Sequence, residues 1–169
     1  MEKLVLIDGN SLINRAYYAT PLLTDKSGRP TNAILGFTNM LIKMRADLSP
    51  DYLLVAFDRH EPTFRHKIFE SYKGTRKPMP DDLRLQIPLL KELLNAMNIR
   101  TYEQAGIEAD DIIGTIAKRY GGKTIIITGD KDSFQLVDDN VSVYFTKRGI
   151  SDVEIYTAEN FQEKTGILP

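Results

Sequence analysis

Residues 123–132 read KTIIITGDKD: five residues of strand character, a glycine, and two aspartates split by a lysine. An almost wholly apolar β-branched run is what a parallel strand covered on both faces requires. It is followed at once by Gly129, Asp130 and Asp132, so the acidic groups fall at the carboxyl end of that strand. The same arrangement occurs twice earlier in the chain. KLVLID (residues 3–8) ends on Asp8, and YLLVAFD (residues 52–58) ends on Asp58.

Working outward, Lys3–Asp8, Tyr52–Asp58, Ile99–Tyr102, Lys123–Thr128 and Val141–Phe145 read as strands. Between them Thr31–Leu48, Asp81–Met97 and Ala109–Tyr120 carry apolar residues at helical spacing, with Pro80-Asp81 as a start signal and Gly121-Gly122 as a stop. Strands alternating with helices predict an α/β/α three-layer sandwich with a mainly parallel central sheet. Ligands bind in such folds beyond the carboxyl ends of the strands, where the strand order reverses. Asp8, Asp58 and Asp130 all lie at such ends.

A fourth acidic group, Glu108, Asp110 and Asp111, stands at the start of the Ala109–Tyr120 helix. Taken singly, each carboxylate has a structural reading. Asp8 or Ser11 could cap the next helix, Glu108–Asp111 could complement a helix dipole, and GDKD could be an Asp-rich turn. Glu108 and Asp111, three apart, share a helix face, whereas Asp110 lies about 100° round. Adjacent Asp110 and Asp111 repel each other and are poor helix formers, which the structural readings leave unexplained. Seven carboxylates gathered at one sheet edge are costly to desolvate unless a cation balances them. Hard oxygen donors without clustered His or Cys favour Mg²⁺ or Mn²⁺ over Zn²⁺. Two such ions suit hydrolysis of a phosphodiester by in-line displacement.

Composition bounds the reading. The chain has 169 residues, 42% of them hydrophobic, and contains no cysteine, so one globular domain without disulfides or thiolate metal sites is expected. No run is long enough to cross a bilayer and no signal layout opens the chain, which points to the cytoplasm. Net charge is −1, yet Arg59–Lys77 holds six basic residues (Arg59, Arg65, Lys67, Lys73, Arg76, Lys77) against Glu61 and Glu70. A basic segment beside an acidic cluster suits a site that takes metal at one end and phosphates at the other. Other phosphate chemistries lack their signatures. There is no G-x-x-x-x-G-K-[ST] or G-x-G-x-x-G, and no second Asp follows two residues after Asp8.

Four stretches in order, IDGNSLINRAYYA (7–19), FDRHEPTFRHKIFESYKGTRKPMPDDL (57–83), GIEADDIIGTIA (106–117) and ITGDKDSFQL (127–136), resemble the 5′-3′ exonuclease, flap endonuclease-like family found at the N-terminus of bacterial DNA polymerase I. The resemblance implies a PIN-like fold, one catalytic domain over residues 1–169, with an arch or clamp insertion at about 60–80. It also implies hydrolysis of DNA, and of RNA in RNA–DNA hybrids, at 5′ ends and flaps. By motif, Asp8, Asp58, Glu108, Asp110 and Asp111 would form a first metal site, with Asp130 and Asp132 leaning toward a second. Lys73 and Arg76 would reach the scissile phosphate, while Arg65, Tyr72 and Lys77 would join them in holding the strand. In the family a helix–hairpin–helix region follows, and these residues contain no counterpart. The expectation is therefore a weak second ion, low duplex affinity, and reduced activity unless that region or a polymerase chain supplies what is missing. Two other classes remain open from sequence: a non-catalytic nucleic-acid-binding module, and a PIN-like ribonuclease, which typically needs fewer acidic groups.

Overall fold

A computed structural model describes residues 2–59, 61, 78–148 and 152–168. One six-stranded sheet runs through the molecule in the order β3-β2-β1-β4-β5-β6. Its strands are β1 (Lys3–Asp8), β2 (Tyr52–Ala56), β3 (Arg100–Tyr102), β4 (Lys123–Thr128), β5 (Val141–Arg148) and β6 (Asp152–Tyr156). The first five are mutually parallel, and β6 returns antiparallel to β5. Among the described residues five α-helices accompany it: α1 (Gly9–Ala19), α2 (Asn32–Leu48), α3 (Asp81–Ala96), α4 (Ala109–Tyr120) and α5 (Ala158–Thr165). A 3₁₀ helix, Lys131–Leu136, follows β4.

Side-chain alternation along β1 shows why the sheet must be a middle layer. Val5 and Ile7 pack with Leu12 and Ile13 of α1, Phe37 and Leu41 of α2, and Leu90 and Leu94 of α3. Leu4 and Leu6 point the other way, onto Ile112 and Ile113 of α4, and share that core with Val143, Tyr156 and Phe161. A strand whose two faces both meet helices must be apolar where it is covered, as LVLI is. The three-layer, mainly parallel architecture expected from the sequence is the one observed.

Helix limits follow from local chemistry. Asp8 caps α1, its carboxylate accepting from the Ser11 N–H at 2.9 Å. Glu108 and Asp111 form a reciprocal capping box on α4, and Gly121 ends that helix at φ 71°, a left-handed conformation glycine adopts without strain. Thr157 and Asn160 make a second such box on α5. Pro80 precedes α3, whose first turn carries Asp81 and Asp82.

The structure adds elements that the apolar runs did not announce. β6 is an edge strand with Val153 and Ile155 exposed, so it lacks the buried run that marks β1 and β4. β5 extends to Arg148, because pairing with β6 continues past its apolar part. β2 ends at Ala56, two residues before the expected Asp58, and the chain then leaves the sheet. Among the described residues no helix is long and apolar enough to cross a membrane.

Candidate metal and nucleic-acid site

Strand order reverses beside β1: β2 and β3 lie to one side, β4 and β5 to the other. Asp8 closes β1, and Asp130 stands two residues beyond the end of β4. Both therefore flank the switch-point crevice in which such folds bind ligands.

A cleft of about 660 Å³ opens there, and Asp8, Asp58, Asp110 and Asp130 contribute to its walls. They arrive from four segments. Asp8 comes from the end of β1, Asp58 from the loop after β2, Asp110 from the first turn of α4, and Asp130 from the β4–3₁₀ junction. Asp58 is set by two bonds: its N–H donates to Asn10 Oδ1 at 3.0 Å, and its Oδ1 accepts from the Ala109 N–H at 2.7 Å. That second bond holds the positive end of α4 against the cleft, which favours anionic groups nearby.

A smaller pocket of about 410 Å³ lies on the other side of Asp110, lined also by Glu108, Asp111 and Asp132. Asp110 is the residue common to both pockets, consistent with its offset of about 100° from the Glu108–Asp111 face. The structure thus distributes the seven acids as two sets meeting at Asp110. Glu108 and Asp111 also cap one another at the start of α4.

Asp8 is the most confined of the cleft acids, 6% exposed. Burial pushes its carboxyl up to about 6, and the nearby charges of Asp58 and Asp130 add to the rise, against the lowering effect of bonds from Ser11 and Thr128. Its Oδ2 accepts from Thr128 Oγ1 at 2.9 Å. Asp130 is turned by its own backbone, its Oδ1 accepting from the Asp132 N–H at 3.0 Å.

Among the described residues, no three Asp, Glu or His side chains are close enough together to hold an ion as they stand. Each of Asp8, Asp58 and Asp130 instead accepts a backbone N–H. The donor set is all carboxylate, Asp8 and Glu108 in it are buried, and the cleft has room for solvated ions. These residues fit a hard divalent cation.

Several residues that face the cleft were not singled out from sequence. Ser11, Asn14, Arg15 and Tyr18 of α1 all line it. Their spacing of three, four and seven residues is a polar helical stripe, the signal that could have found them. Thr128 escaped because a threonine in an apolar strand looks like ordinary β composition. The expected phosphate-side residues Arg65, Tyr72, Lys73, Arg76 and Lys77 lie outside the described residues. Arg59, inside them, pairs with Glu61 at 3.0 Å on the surface.

A mainly parallel sheet between helical layers, with acidic groups collected at its β1–β4 switch point, is a PIN-like fold. The chain belongs to the family described as the 5′-3′ exonuclease, N-terminal resolvase-like domain, which matches residues 3–166. It is 48% identical over 171 residues to DNA polymerase I of Bacillus subtilis (strain 168), covering 99% of this chain and 19% of that protein. It is 51% identical over 169 residues to DNA polymerase I of Geobacillus stearothermophilus, covering 98% and 19%. The chain thus spans about a fifth of the length of these relatives. Among solved structures, the T5 D15 protein co-crystallised with metal ions superposes with a TM-score of 0.72 at 20% identity, over 98% of this chain and 61% of that one. At that identity the likeness is one of fold.

Proposed function

We propose that the chain is a divalent-metal-dependent 5′-3′ nuclease domain that hydrolyses phosphodiester bonds of DNA at 5′ ends and flaps. The observation that carries this reading is the convergence of Asp8, Asp58, Asp110 and Asp130, from four separate segments, on one cleft at the β1–β4 switch point. Membership of the 5′-3′ exonuclease family, relatives that are DNA polymerases, and a fold neighbour crystallised with metal ions support it.

In this reading Asp8, Asp58, Glu108, Asp110 and Asp111 hold one Mg²⁺ or Mn²⁺, with Asp130 and Asp132 leaning toward a second, as a two-ion site. Cations bound there supply charge neutralisation at the phosphate and activation of a water for in-line attack. The chain's own residues orient and exclude. Asn10 and the α4 N-terminus fix Asp58, Thr128 fixes Asp8, and the exposed ring of Tyr18 offers a stacking surface at the cleft lip. Residues 1–169 act as one catalytic domain, with the segment at about 60–80 as the arch. Its Lys73 and Arg76 approach the scissile phosphate, while Arg65, Tyr72 and Lys77 hold the strand. A polymerase region like that of the relatives would be the natural partner, and RNA–DNA hybrids a second substrate.

Cleavage of a 5′-labelled flap duplex in Mg²⁺ or Mn²⁺, compared with the Asp110→Ala, Asp111→Ala double variant, tests this. Cleavage by the chain that the variant loses supports the reading. An absence of both cleavage and divalent-cation binding overturns it.

A further inference from the structure

Both hydrogen-bonding groups of Gly129 are held by side chains of α1. Ser11 Oγ accepts from the Gly129 N–H at 2.9 Å, and Arg15 Nη2 donates to the Gly129 carbonyl at 3.2 Å. Ser11 and Arg15 stand four apart and so share a helix face. The guanidinium is tied again on its other side: Nη1 donates to the Lys147 carbonyl of β5 at 2.5 Å, and Cζ lies 5.8 Å from the centroid of the Phe145 ring. It sits so close to the loop that a Cβ at position 129 would fall 2.3 Å from Arg15 Nε. Gly129 is the single residue between the end of β4 and Asp130. A side chain there would displace the guanidinium.

We infer that Ser11 and Arg15 are positioning residues for the acidic cleft, gripping Gly129 from the helix that Asp8 caps and so fixing the separation of Asp130 from Asp8. This rests on the reading of the cleft as a divalent-cation site. Asp8 belongs to the start of α1 through its cap bond to Ser11, and Asp130 is joined to the same helix through the next residue in the chain. Two ligands referred to one rigid helix keep their spacing better than two ligands on independent loops. Hard cations are selective about that spacing, and residues that orient their ligands commonly matter to affinity. Arg15 also lines the cleft, so a rival role is direct contact with a phosphate. Cation binding measured without DNA separates the two, because a phosphate contact contributes nothing to it.

The test is Mn²⁺ binding by titration calorimetry without DNA, on the wild-type chain and on Arg15→Ala, Arg15→Lys and Gly129→Ala, with folding checked by circular dichroism in EDTA. Binding by the wild type, weakened on the order of 10–100-fold in both Arg15→Ala and Gly129→Ala, is the expected result. Arg15→Lys should fall between, since one ammonium cannot span both carbonyls. Wild-type affinity in Arg15→Ala and Gly129→Ala overturns the inference, and a loss of flap-DNA affinity alone in Arg15→Ala would assign that residue to a phosphate instead. A wild type that binds no Mn²⁺ overturns the proposed function and this inference with it. If either variant fails to fold, Ser11→Ala, which removes a single side-chain oxygen, carries the comparison with the same two outcomes.

Discussion

Thr128 Oγ1 donates to Asp8 Oδ2 at 2.9 Å and accepts from the Asp130 N–H at 3.0 Å, so one buried hydroxyl bridges the ends of β1 and β4. Thr128 is fully buried. Thr128→Val keeps the shape of the side chain and removes both. We expect it to destabilise the metal-free protein by about 1–3 kcal/mol, the usual consequence of leaving a buried polar partner unsatisfied. Urea denaturation in EDTA measures this, and an unchanged midpoint would show that the bridge is not needed.

Asp8 ionises against its surroundings, and the sign of the effect on stability follows. Its carboxyl is raised to about 6 in the folded chain from an ordinary 3.8, chiefly by burial. The folded state therefore binds the extra proton between these values, and stability from this group is present below about 4 and lost as pH rises through about 6. Asp8→Asn stays neutral and keeps an acceptor for Ser11. Without divalent cations the variant should match the wild type near pH 4 and exceed it at pH 7, by up to about 3 kcal/mol. Denaturation curves across that range check it; a gap that fails to widen with pH contradicts the assignment.

Gln86, on α3, is fully buried and joins three helices. Its Oε1 accepts from the Ala33 N–H at 2.8 Å and the Ile34 N–H at 3.2 Å, while its Nε2 donates to Asn32 Oδ1 and to the Asp82 carbonyl, both at 3.0 Å. Asn32 in turn donates to the carbonyls of Tyr17 and Thr20 at the end of α1. Gln86→Leu fills similar volume but strands the first N–H groups of α2. A loss of about 2–4 kcal/mol is expected by denaturation, and hydrogen exchange should quicken first at Ala33 and Ile34.

Gly9 opens α1 beneath the ring of Phe57, where a Cβ would meet ring carbons at 2.5–2.8 Å. Phe57 is itself fully enclosed and cannot swing away. Gly9→Ala should therefore destabilise by about 1–3 kcal/mol through overpacking. Combining it with Phe57→Leu, which vacates that space, should recover part of the loss. Additive effects in the double variant would show that the two positions do not press on one another.

The reach of sequence reading varied with how each residue does its work. Apolar runs such as KTIII are forced on any strand buried on both faces, so β1, β2 and β4 and the three-layer order could be inferred from composition alone. β6 could not, because an exposed edge strand carries no such run. Asp8, Asp58, Asp110 and Asp130 stood out because carboxylates at strand ends and in adjacent pairs are costly without a purpose. Asn10 and Thr128 did not stand out, and Ser11 did so only as a helix cap, since small polar side chains are ordinary wherever they fall.

By itself, then, the sequence determined which segments become buried strands and which end of each carries acid, because hydrophobic burial and side-chain period are local properties of the chain. Only the tertiary structure decided which acids share a cleft. That depends on strand order, which sets β1 beside β4 and brings Asp8 near Asp130 across more than a hundred residues. It also depends on helix phase, which places Asp110 between two pockets and turns Ser11 and Arg15 together onto Gly129. Contacts of that kind arise from long-range packing, and no local run of residues encodes them.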